Sequence, residues 1–130
     1  GPRGYFTYQT PETIAGYRLR EQLEQRLGLP VDARYRLSVT LSENRKPAAI
    51  TAAGDTTRYN VIGTAVWTLT DIASGEETAK GEVETFTSYA ATGSTVATQA
   101  AAADANARLS VALADMIVGR LLILSPRLVP

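Results

Sequence analysis

Apolar and polar positions change their spacing along this chain, and each change marks an element. Gly4 to Gln9, with Tyr5, Phe6 and Tyr8, is a short β-prone run. Thr10-Pro11-Glu12 then offers an N-cap hydroxyl, a first-turn proline and an acid suited to the helix dipole, so a helix is predicted to start there. Its apolar stripe is Ala15, Leu19, Leu23 and Leu27, and Gly28 with Pro30 ends it. Gly16 is expected to weaken its early part by about 1 kcal/mol relative to alanine. From Tyr35 the period falls to two: Tyr35, Leu37, Val39 and Leu41 alternate with Arg36, Ser38, Thr40 and Ser42, the pattern of a strand with one buried face. Asn44 to Thr56, with Pro47, Gly54 and Asp55, shows little periodicity and reads as a long hairpin loop of the kind that is often functional.

Arg58 to Thr70 is again β-prone, with Tyr59, Val61, Ala65, Trp67 and Leu69 on one face. Its other face is mixed, since Ile62 and Val66 stand among Asn60, Thr64 and Thr68. Beyond the turn signal Asp71 to Gly75, a strand from Thr78 to Tyr89 sets Ala79, Val83 and Tyr89 against Lys80, Glu82, Glu84 and Phe86. After a small-residue loop from Ala90 to Val96, a long alanine-rich helix begins at Ala97, striped by Ala105, Leu109, Ala112, Leu113, Met116, Ile117, Leu121 and Leu124.

The predicted order is β-α-β-β-β-α. One sheet and two striped helices bury their apolar faces most simply as an α+β fold, a four-stranded, largely antiparallel sheet with two helices packed on one face. Residues 3–124 form the single domain, 125–130 are expected to be a frayed tail, and Gly1-Pro2 reads as the remnant of a cleaved tag.

Thirteen basic and thirteen acidic residues cancel. No broad electropositive field is available for nucleic acid, which is not an expected partner. There is no cysteine or histidine. That removes thiolate chemistry, the commonest general base and the usual metal ligands, so no cofactor or metal is expected. Met116 to Leu124, the most apolar run, is interrupted by Arg120 and falls short of the ~20 residues that cross a bilayer.

Three groupings remain as candidates. Arg45 and Lys46, with Arg58 across the same loop, form a basic cluster able to hold a phosphate or another anion. Ile62, Val66 and Phe86 leave apolar area on the sheet face away from the helices, a feature of protein interfaces. Glu82 and Glu84 share one strand face and could act as acid and base, but that spacing ordinarily marks a solvent face. Ser94, Thr95 and Thr98 are read as capping residues.

The ordered residues also carry a family likeness. Tyr17-Arg18-Leu19-Arg20-Glu21-Gln22-Leu23-Glu24-Gln25-Arg26-Leu27-Gly28 followed by Tyr35-Arg36-Leu37-Ser38-Val39 resembles the lipopolysaccharide-assembly lipoprotein LptE in its α-proteobacterial form. So do Thr56 to Val61, Ala65-Val66-Trp67-Thr68-Leu69-Thr70-Asp71, Ser88-Tyr89, and Ala105, Arg108 and Leu113-Ala114-Asp115-Met116-Ile117. The resemblance implies two helices on a four-stranded sheet and a non-catalytic binding role. It implies an outer-membrane protein on the periplasmic side, anchored through a lipidated N-terminal cysteine, expected upstream of the present first residue. Its implied partners are the LptD β-barrel, whose lumen it plugs and whose assembly it assists, and lipopolysaccharide, whose phosphates would suit Arg45 and Lys46. An ABC-transporter auxiliary periplasmic lipoprotein is an alternative with a similar layout, and a small carboxylate-dependent hydrolase is a further one.

Overall fold

The computed structural model describes residues 3–128; the tag reading of Gly1-Pro2 and the last two tail residues lie outside them. Strand β1 is Phe6–Gln9, helix α1 is Ile14–Leu27, strands β2, β3 and β4 are Tyr35–Ile50, Thr56–Asp71 and Glu77–Ala90, and helix α2 is Thr95–Leu124. The order is β-α-β-β-β-α. The strands lie in sequence order across a single sheet, with β1 parallel to β2 and the other neighbours antiparallel.

Phe6 of β1 and the odd-numbered residues of the three longer strands supply the buried face. Tyr35, Leu37 and Val39 of β2, Val61, Ala65, Trp67 and Leu69 of β3, and Val83 and Tyr89 of β4 are all buried with Leu19, Leu23 and Leu27 of α1 and Leu109, Leu113, Ile117 and Leu121 of α2. Two glycines make this packing possible. A Cβ at Gly63 would lie 2.9–3.0 Å from atoms of Leu109 and Leu113, and one at Gly81 would lie 2.8 Å from three atoms of the Trp67 ring. The helices are pinned to each other by Asp115, which accepts bonds from Gln22 Nε2 and an Arg26 guanidinium nitrogen, each at 2.8 Å. The Asp104–Arg108 pair is made at 3.0 Å.

Four expectations change. The cap of α1 is Thr13, whose hydroxyl accepts from Gly16 N–H at 3.0 Å, rather than Thr10. Thr10 and Pro11 instead carry the chain from β1 up to the helix, and the Pro11 carbonyl passes so close to Gly16 that a Cβ there would lie 1.9 Å from its oxygen. Gly16 is therefore a packing requirement, and counting it as a weak spot misses that. Second, Asn44 to Thr56 is not a long loop: β2 runs to Ile50, β3 resumes at Thr56, and only 51–55 turn. This part of the hairpin is almost wholly exposed, so backbone pairing holds it with no buried face to impose a period. Third, Ser125–Arg127 forms one 3₁₀ turn, and Leu128 packs against the core in place of a frayed tail. Fourth, α2 starts two residues before Ala97, capped by Ser94, and by length and composition it is apolar enough to cross a membrane, with an 18-residue window of mean hydropathy 1.7. Leu109, Leu113, Ile117 and Leu121 of this helix are buried in the core, while Leu122 and Ile123 are exposed.

Candidate functional site

The surface opposite the helices is an uncovered sheet face. Alternation places on it the even-numbered residues of the three long strands, because successive side chains point to opposite faces. Hydroxyls are frequent there, with Ser38, Thr40 and Ser42 on β2, Thr64, Thr68 and Thr70 on β3, and Ser88 on β4, and charged side chains such as Arg36, Lys80, Glu82 and Glu84 stand among them.

Ile62 and Phe86 are direct cross-strand partners in the middle of this face, and the Phe86 side chain is 60% exposed. Val66, 45% exposed, lies four residues further along β3, ~13 Å from Ile62, between Thr40 and Glu82. The three expected apolar residues thus share a face but not a patch. Ile62 and Phe86 form its centre, and Val66 floors a separate notch of about 530 Å³ with Gln9, Thr10, Pro11, Ser38 and Thr40 where β1 ends.

Of the basic residues, Lys46 and Arg58 stand on this same face. Lys46 pairs with Asn60, two residues from Arg58 on β3, a diagonal separation of roughly 7–8 Å that two long side chains can close. Arg58 donates to the Ser88 hydroxyl at 2.9 Å. Arg45, next in sequence to Lys46, points the other way, onto the helix side. Its guanidinium lies 4.3 Å from the centroid of Tyr59, in a stacked Tyr59–Tyr89 pair, and donates to the Tyr89 hydroxyl at 3.4 Å. That bond raises the Arg45 pKa further. Read as a loop, the three cations look like one cluster; as strands, the two-residue period divides them between opposite faces.

Glu82 and Glu84 are both exposed on the open face, and Glu84 accepts from the Thr64 hydroxyl at 3.0 Å. Those are the surroundings of solvated side chains, without the apolar enclosure that tunes a catalytic acid. Ser94 caps α2 by accepting from Ala97 N–H at 3.0 Å. The Tyr59–Tyr89 stack under Arg45 had no place among the sequence candidates. Its signal was Tyr59 and Tyr89 in phase on the buried faces of two paired strands.

The sequence matches the family model for lipopolysaccharide assembly, LptE, over residues 5–121. The chain belongs to the LptE family. A lipoprotein from Caulobacter crescentus is 28% identical, with a TM-score of 0.71 over 88% of this chain and 85% of its own. The rare lipoprotein B of Shewanella oneidensis shares the fold at 16% identity, with a TM-score of 0.72 over 94% of this chain and 96% of its own. A minor lipoprotein of Acinetobacter baumannii does so at 22% identity and a TM-score of 0.68, over 89% and 90%. Among curated proteins no match is found. LptE membership follows the first of the two lipoprotein readings, and the matched span includes both helices up to Leu121 and the whole open sheet face.

Proposed function

We propose that this protein is a non-catalytic, lipid-anchored envelope lipoprotein that seats in the LptD β-barrel of the outer membrane, on its periplasmic side, assists assembly of that barrel and binds lipopolysaccharide in transit. The observation that carries this reading is the uncovered sheet face, rich in hydroxyls around the Ile62–Phe86 pair. A barrel interior is polar and must be matched by hydrogen-bonding groups, while a small apolar centre excludes water where the two surfaces meet. Ile62, Phe86 and, in its own notch, Val66 are the proposed barrel contacts. Lys46 and Arg58 are the proposed phosphate contacts, charge-assisted donors beside that centre. Arg45, on the opposite face, would reach lipopolysaccharide only around the strand edge.

The test is co-purification with LptD. Ile62→Asp together with Phe86→Asp places two charges on an exposed face, so the domain should stay folded by circular dichroism and lose barrel capture. Undiminished capture would overturn the assignment of this face. Separately, Lys46→Glu with Arg58→Glu should lower lipopolysaccharide affinity about tenfold or more, while Arg45→Glu alone should lower it less; the reverse order would move the phosphate site to the helix side.

A further inference from the structure

The edge of β2 is open for most of its length. Strand β1 pairs with it only from Tyr35 to Ser38. Tyr35 N–H donates to the Tyr5 carbonyl, while the Arg34 carbonyl accepts from Ile72 at the start of the β2–β3 ladder. Odd-numbered residues of β2 therefore aim their main-chain groups away from β3, and even-numbered ones aim toward it. The pairing with β3 is unshifted as far as Pro47. Beyond the reach of β1, the N–H and C=O groups of Leu41, Glu43 and Arg45 form a row that no strand covers among the described residues. Pro47 closes it, having no N–H to offer.

Such an edge invites a strand, and charged side chains normally guard it. Here the guards alternate in sign. Glu43 and Arg45 are exposed, project to the same side of the sheet, and straddle Asn44. Two copies of this edge, run antiparallel about a two-fold axis at Asn44, place Glu43 of each opposite Arg45 of the other. Those are the residues whose main-chain groups point outward, so each such pair exchanges two backbone hydrogen bonds. Shifting by two residues in either direction sets Glu43 against Glu43 or Arg45 against Arg45. Arg45 is already held in place over Tyr59.

We propose that the free protein self-associates through β2, as a two-fold dimer whose continuous sheet is registered by the Glu43–Arg45 pairs. The contact is a strand edge with small flanking surfaces, so it is weak, dissociating at roughly 0.1 mM. It requires only this chain and is independent of the barrel reading. Sedimentation of the full chain over a range of concentrations tests it. The wild type should show a dimer growing with concentration. Glu43→Arg, which turns two attractive pairs into two repulsive ones, should raise the dissociation constant about tenfold. Glu43→Arg with Arg45→Glu should restore the dimer, because the swap keeps the register complementary, and unaltered thermal melts would show that the fold is not what changed. A wild type that stays monomeric up to ~1 mM, a dimer indifferent to Glu43→Arg, or a double variant no tighter than the single would each overturn the proposal.

Discussion

Gly16→Ala separates helix propensity from tertiary packing, because the two give opposite signs. Alanine is favoured over glycine inside a helix by about 1 kcal/mol. Taken alone, α1 should be stabilised by that amount. In the fold, however, the new Cβ would sit 1.9 Å from the Pro11 oxygen, 2.8 Å from its carbonyl carbon and 3.1 Å from its Cβ. Ordinary contacts of this kind begin above 3 Å, so the Thr10–Pro11 segment must retreat by more than 1 Å. That segment is tied to β1 on one side and to the Thr13 cap on the other. Overpacking of this type costs roughly 1–3 kcal/mol and sometimes more. Since the obstacle is backbone rather than a flexible side chain, the upper part of the range applies. Setting about 3 kcal/mol against the gain of about 1 leaves a net loss of ~2 kcal/mol. Urea unfolding should show a lower midpoint at unchanged slope. Gly119→Ala is the internal control: it lies within α2, is exposed, and nothing stands within 4 Å of its new Cβ, so it should stabilise by up to about 1 kcal/mol. If Gly16→Ala stabilises as Gly119→Ala does, the close approach of Pro11 does not govern this helix start.

Gly81→Ala should destabilise by ~1–2 kcal/mol, because its Cβ would press on the buried Trp67 ring, and Trp67→Phe in the same chain should recover part of that loss in a thermal melt. Asp115→Ala breaks the bonds to Gln22 and Arg26, but both charged side chains are about two-fifths exposed, so solvent screening holds the measured loss to at most ~1 kcal/mol. Tyr8 donates its hydroxyl to the Gly28 carbonyl at 2.7 Å, and burial, reinforced by Glu24, pushes its pKa from 10 up to about 12. Its neutral form is favoured by folding, so this contribution to stability is complete below pH 10 and fades as pH rises to about 12; Tyr8→Phe should flatten stability against pH across that window, and an unchanged profile would remove Tyr8 as the cause.

The architecture was legible in the residue order, because periods of two and of 3.6 residues are set by backbone geometry wherever one side of an element must be buried. Tyr35 to Leu41 and the α2 stripe were legible for that reason, and so was the surplus of apolar residues at Ile62 and Phe86 on the opposite face. The family likeness rested on residues of the same patterned elements, Tyr35 to Val39 and Leu113 to Ile117 among them. Where no face is buried, no period is written: Asn44 to Ile50 looked like a loop, and its cations looked like one cluster. The folded chain has a strand there, whose alternation turns Arg45 toward Tyr59 and Lys46 away from it. Likewise, no local pattern reveals that the Pro11 carbonyl approaches Gly16 or that Trp67 lies over Gly81. Those contacts depend on how distant segments are brought together, and a glycine carries no side chain to announce what it makes room for.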